Sequence, residues 1–320
     1  MPGKNVDLKG KHALVTGASG LVGSHVTRRL SEEGMDVRAL VRRATDLGPG
    51  VTLNFGDIRD RAAVTAAVRG AGLVVHCAAV LRSATRDEAM AVNVEGTRLL
   101  LKAVLEAGCE RFIHISTTSV HDLEGRDVVD ETTPLVERDE VHAYGESKAA
   151  AEQAVWAAAA DGLAVTVLRP SAILGVHPAC YWTVRLPRQI AAGEFSLQGD
   201  GRYSLAYVHV ANLADAVALA ARSARAVGQA YNVIDGHTTW RDLTDHFLRW
   251  LGLPALPSAP PETVPAVYRW HGRWSGEKLR RELGYVPRVT FEEALAEAKQ
   301  HLVATGVLGS APGWGGSRFL

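Results

Sequence analysis

The chain lacks the features that would mark a polyanion binder, a membrane protein or a disulfide scaffold. Lys plus Arg and Asp plus Glu both number 35 in 320 residues, so no net charge draws it to nucleic acid or an anionic lipid surface. Its three cysteines, Cys77, Cys109 and Cys180, are far apart and show no paired spacing. That excludes a disulfide framework and makes a reducing cytoplasm the expected compartment. No apolar run reaches the roughly 18 residues of a membrane span, and the N-terminal segment is polar with no signal core. No cluster of His, Cys and carboxylates has ligand spacing, so no metal is expected. What remains is 47% hydrophobic and 22% charged, a composition that supports a packed soluble core.

The first half alternates short β-rich runs with Ala/Leu-rich helical stretches. Strands are predicted at 12–16, 36–41, 51–54, 73–77, 111–116 and 164–168, and helices at 22–33, 61–69, 89–107 and 144–160. Apolar strands alternating with helices imply an α/β fold, a doubly wound parallel sheet covered on both faces. After Pro170 the pattern is interrupted, with Pro178 and Pro187 as breakers. A helix is expected at 212–224, a strand returning to the sheet at 229–234, a Pro-rich loop at 253–265 and a last helix at 291–303. The division that follows is a Rossmann domain of 8–172 plus 207–235 and a smaller substrate-binding subdomain of 173–206 plus 236–308. Residues 309–320 are expected to form a mobile tail.

TGASGLVG (16–23) follows the first strand and opens the first helix. Gly17 allows the tight turn, Gly20 lets backbone approach a pyrophosphate, and Gly23 lets helix and strand pack closely. Ser19, Leu21 and Val22 complete this cofactor-binding turn. NAD sites usually close the second strand with an acid for the ribose 2′-hydroxyl. Here the strand ends in Arg42 and Arg43. Guanidinium groups there favour a 2′-phosphate, hence NADP over NAD, unless the pair is only a solvated surface cluster. Asp57, followed by Ile58, is placed to accept from the adenine amino group or to cap the next helix, a task also open to Asp60.

Tyr144 and Lys148 lie four apart on one helix face. A free tyrosine, with a pKa near 10, is a poor base at neutral pH. A neighbouring ammonium favours the phenolate, which lets the tyrosine give or take the proton on a carbonyl or hydroxyl oxygen. The fifth strand ends in Ser116, Thr117, Thr118 and Ser119, at the edge that faces the ligand crevice. One such hydroxyl can hold the substrate oxygen, and the others serve caps and turns.

Together these pieces resemble the extended branch of the short-chain dehydrogenase/reductase superfamily, the NAD(P)-dependent epimerase/dehydratase family. The match runs in family order through TGASGLVG, GDIRD (56–60), HCAA (76–79), NVEGT (93–97), ISTTSV (115–120), YGESK (144–148), LRPSAILG (168–175), YVHVANLADA (207–216), GQAYNVID (228–235) and LGYVPRVTFEEAL (283–295). The resemblance implies that Tyr144 is the catalytic acid/base and Lys148 its partner, which also holds the nicotinamide ribose. Thr117 falls at the catalytic Ser/Thr position, with Ser116 beside it on the cofactor side. Ala78 and Ala79 would line the cofactor, Pro170 and Ser171 the nicotinamide. Asn93 would be a buried brace. A homodimer paired through helices 89–107 and 144–160 is a further family expectation.

Three departures speak against a nucleotide-sugar substrate. Thr117-Thr118-Ser119 stands where sugar dehydratases carry Thr-Asp-Glu, Ala172 where epimerases usually have Asn, and Leu205 where they tend to place an arginine on the diphosphate. Arg202 or Arg185 could replace that arginine. The pattern is more similar to 3β-hydroxysteroid-dehydrogenase-like and carbonyl-reductase members. Tyr181, Trp182 and Tyr203 are the expected substrate contacts, among aromatics that include Phe195, Trp270 and Trp274 and that also suit plain core packing. The expected function is ketone–secondary alcohol interconversion on a hydrophobic small molecule. The alternatives are a nucleotide-sugar epimerase and a non-catalytic NADP sensor.

Overall fold

A computed structural model of the chain describes residues 6–81, 85–137, 143–264 and 269–309. The expected mobile tail lies outside them apart from Gly309. The chain alternates through β1 (His12–Thr16), α1 (Leu21–Glu32), β2 (Asp36–Val41), β3 (Thr52–Phe55), α2 (Arg61–Val68) and β4 (Leu73–His76). Next come α3 (Arg86–Ala89), α4 (Gly96–Glu106), β5 (Arg111–Ile115), β6 (Val128–Val129), α5 (Ala143–Ala160) and β7 (Val165–Pro170). They are followed by β8 (Ala172–Leu174), α6 (Leu186–Ala191), β9 (Leu197–Gln198), β10 (Ser204–His209), α7 (Val210–Arg222) and β11 (Gln229–Val233). The last are β12 (Gly236–Thr239), α8 (Trp240–Leu251), β13 (Ser258–Ala259), β14 (Arg273–Trp274), α9 (Glu277–Leu283) and α10 (Phe291–Ala304).

Seven strands form one parallel sheet in the order β11-β7-β5-β4-β1-β2-β3. From β1 the chain winds to one edge, then crosses back to β4 and winds the other way. The reversal lies between β1 and β4 and opens a crevice beyond their C-terminal ends. Successive residues of each strand serve opposite faces. Leu14, Val74 and Phe112 pack with Val64, Leu100, Val104 and Val155 of α2, α4 and α5. Val15, Val75 and Ile113 share the other layer with Val26, Leu30, Leu213 and Val217 of α1 and α7. All are fully buried, and each such side chain contributes about 1.5–3 kcal/mol relative to exposure. This two-sided burial is why the strands read as mostly apolar runs.

A third apolar cluster, Leu186, Ile190, Leu205, Leu243, Phe247, Leu248 and Leu295, joins α6, β10, α8 and α10. Beside it, β10 pairs antiparallel with β12 and parallel with β8. Three expectations change. Residues 89–107 are not one regular helix: a π-helical turn, Met90–Glu95, joins α3 to α4. The widened turn accommodates Asn93, whose amide bonds twice with the Val80 backbone and donates to Ser147. Pro187 does not break the chain: it is the second residue of α6, where the π-helical turn Tyr181–Arg185 passes into the α-helix. The segment from 253 is not all loop, since Ser258 and Ala259 pair in parallel with Leu197 and Gln198.

Candidate active site

The turn after β1 is fixed by backbone crowding. Gly17 has φ +65°, and a Cβ there would lie 2.7 Å from Ala78 backbone. On Gly23 a Cβ would lie 2.2 Å from the Gly17 carbonyl oxygen. The N-cap of α1 is Gly20, with no side-chain cap and no acid in the first turn. The helix therefore presents its unpaired N–H groups and positive dipole end without a competing anion. This cradle, which side chains would fill, fits the pyrophosphate of a dinucleotide.

A hydrogen-bonded chain sets the geometry of the crevice floor. Ala78 N–H donates to Thr16 Oγ1 at 3.3 Å, and the Thr16 hydroxyl meets His76 Nδ1 at 2.7 Å. His76 Nε2 lies 2.8 Å from Thr97 Oγ1, whose own proton goes to the Asn93 carbonyl at 2.6 Å. Thr97 can only accept from the ring, so Nε2 carries the proton and Nδ1 accepts from Thr16. The ring stays neutral: burial brings its pKa down to about 3.

Tyr144 and Lys148 occupy the first two turns of α5. Tyr144 is half-buried, and Lys148 is only 2% exposed. The lysine Nζ donates to the Ile115 carbonyl at the end of β5, at 2.6 Å. Burial brings its pKa down to about 8, partly offset by the Glu152 carboxylate. At pH 7 the ammonium still dominates. Thr117 follows β5 and is 8% exposed. Its Oγ1 accepts from Ser119 N–H at 3.2 Å and caps a short 3-10 turn, Thr118–Val120. An oxygen that accepts from backbone keeps its own proton to donate.

Ser116 is engaged elsewhere. Its Oγ donates to Glu152 at 2.8 Å. Glu152, wholly buried on α5, also accepts from Trp156 Nε1 and from the Nε and NH2 groups of Arg169 on β7. Breaking one side of such a pair typically costs about 3–5 kcal/mol. Sequence reasoning passed over Glu152, Arg169 and His76. Glu152 had a signal, since it lies one turn after Lys148 on the same helix face.

The other expected residues distribute as follows. Arg42 and Arg43 follow β2, are exposed, and make no ion pair among the described residues. Arg59 grips both carboxylate oxygens of Asp57, at 2.8 and 3.0 Å, and holds its pKa down to about 2. Asp60, not Asp57, caps α2. Ile58 is buried against Gly96, and Ala78 and Ala79 follow β4 half-buried. Pro170 ends β7, and Ser171 contacts the Val233 carbonyl. Tyr181 and Trp182 join Trp240 and Phe195 in one aromatic group. Tyr203 stands apart, buried over the Gly199 turn and edge-on to His271. His177 and His121, which carry no assigned role, are each partnered.

A family model described as the NAD dependent epimerase/dehydratase family matches residues 13–233. Among curated relatives, a 3-beta-hydroxysteroid dehydrogenase of Mycolicibacterium neoaurum is 31% identical, with 89% of each chain covered. A 4-hydroxy-2-methyl-3-oxo-4-farnesyl-3,4-dihydroquinoline-1-oxide ketoreductase of Stigmatella aurantiaca is 30% identical, covering 89% of this chain and 95% of its own. Among solved structures, a dTDP-glucose 4,6-dehydratase of Streptomyces venezuelae, with NAD and TYD bound, superposes with a TM-score of 0.78. It is 26% identical and covers 91% of this chain and 96% of its own. No helix among the described residues is long and apolar enough to cross a membrane. Its phosphate turn, its tyrosine–lysine helix and these likenesses agree: the chain belongs to the NAD dependent epimerase/dehydratase family, the extended short-chain dehydrogenase/reductases.

Proposed function

We propose that the chain is an NADP-dependent oxidoreductase that interconverts a ketone and a secondary alcohol on a hydrophobic small molecule. The observation that carries this reading is a buried ammonium, Lys148, one helical turn from Tyr144 and bonded to the end of β5, the strand that Thr117 follows. A nicotinamide, when bound, supplies or takes the hydride. In the reducing direction Tyr144 gives its proton to the carbonyl oxygen, and Thr117 donates a hydrogen bond to the same atom. Lys148 lowers the cost of the phenolate left behind. Gly17, Gly20 and Gly23 would hold the pyrophosphate, and Arg42 with Arg43 the 2′-phosphate.

The position at which an arginine would grip a diphosphate supports an apolar substrate. Leu205 is packed with Leu186, Ile190 and Phe247, so the position offers a diphosphate no charge. Arg202 is exposed and faces Asp200. The names of the steroid dehydrogenase and ketoreductase relatives point the same way. The test is Tyr144→Phe, with cofactor turnover over a panel of ketones and alcohols. Turnover should fall by about 10²–10⁴-fold, the usual worth of a positioned acid/base, with NADPH affinity nearly intact. Wild-type rates would remove Tyr144 from the mechanism.

A further inference from the structure

Lys148 requires more than Ile115 to remain an ammonium in a dry site. Among the described residues no carboxylate lies within ion-pair distance of its Nζ. The nearest acid, Glu152, is spent on Arg169, Ser116 and Trp156. The second acceptor is an imidazole: His114 Nε2 on β5 lies 3.4 Å from Nζ. His114 is fully buried, and its Nδ1 has no partner.

The charge states fix the tautomer. An ammonium has donors only, so His114 must face it with a bare Nε2 and carry its proton on Nδ1. That leaves a buried N–H without an acceptor, a cost that an apolar residue at this position would not incur. His76, whose ring centroid is 5.4 Å away, has the opposite tautomer. Of the two adjacent rings, His114 alone turns a lone pair to the lysine.

We propose that His114 is a positioning residue, whose Nε2 lone pair holds the Lys148 ammonium in place for Tyr144. The inference rests on the reading of Lys148 as the tyrosine's partner. The groups that face Lys148 are Tyr144 and Glu152 on its own helix, His114 with the Ile115 carbonyl from β5, and His76 and Cys77 from β4. Burial keeps both rings neutral and pushes the Cys77 thiol up to about 12, so Glu152 is the one anion in this set. Loss of the His114 acceptor therefore disfavours the ammonium and moves Lys148 further below its present range.

The experiment is NMR titration of the full chain labelled with ¹³C-lysine, with the Lys148 signal assigned through Lys148→Met. In His114→Phe the lysine should titrate about one unit lower, a tenfold change in its protonation constant, and His114→Gln should restore most of the shift. An unchanged titration in His114→Phe overturns the proposal. So does a shift that Gln fails to reverse, which would mark a purely steric role. If His114→Phe does not fold, ¹⁵N-histidine spectra of the native chain decide. Nδ1–H on His114 beside Nε2–H on His76 supports the proposal, and Nε2–H on His114 overturns it. None of these readouts requires turnover, so they fail independently of the Tyr144→Phe test.

Discussion

Arg42→Ala should separate the two nicotinamide cofactors. Arg42 follows β2, is exposed, and makes no ion pair among the described residues, so its guanidinium is available to a ligand. The acid in its neighbourhood, Asp57, is already held by Arg59 through two hydrogen bonds and does not compete with a phosphate for Arg42. A hydrogen bond to a charged group contributes about 1.5–3 kcal/mol, which is roughly 10- to 150-fold in affinity. NADH carries no 2′-phosphate and should bind the variant as it binds the native chain. The assay is calorimetric titration of NADPH and NADH into both proteins at low and moderate salt. The NADPH difference should shrink as salt rises, because the contact is exposed. Equal weakening of both cofactors, or no weakening of either, refutes the 2′-phosphate assignment.

Other outcomes follow from the same geometry. Gly23→Ala drives a Cβ to within 2.2 Å of the Gly17 carbonyl oxygen. The three nearest atoms, of Gly17 and Ala18, are all backbone, so α1 must shift. NADPH affinity should fall at least about tenfold and stability by about 1–3 kcal/mol; native-strength binding would show that this turn does not carry the cofactor. The buried histidines should make the fold acid-labile. His76 titrates near 3 in the fold and near 6.5 when unfolded. Between those values the unfolded chain binds a proton that the native chain refuses, so stability falls as pH falls through that window and is unaffected above it. At pH 5 this one ring removes about 2 kcal/mol. Urea denaturation at pH 7.5, 6 and 5 should show the decline, and His76→Gln should make it shallower; a flat native profile would contradict the neutral, buried ring.

The sheet was legible because its strands are buried on both faces and read as apolar runs, as in Leu73–His76 and Val165–Pro170. Tyr144 and Lys148 were legible because the helix period places them together. Other elements were hidden for stated reasons. Pro187 looks like a breaker unless the π-helical turn that precedes it is known. The helix α8 was not among the expected elements, although its buried Leu243, Phe247 and Leu248 fall at helical spacing. The π-helical turn at Asn93, the Ser116–Glu152–Arg169 chain and the tautomers of His76 and His114 depend on contacts between residues far apart in sequence. No local pattern encodes them.

The most direct test of the central claim is to follow the deuterium of 4-deuterated NADPH across a panel of hydrophobic ketones, with UDP-glucose and dTDP-glucose run in parallel. The account predicts net NADPH oxidation with deuterium on the new carbinol carbon of a ketone, and no conversion of either sugar nucleotide. Sugar-nucleotide conversion without net cofactor consumption, and no ketone reduced, would contradict it.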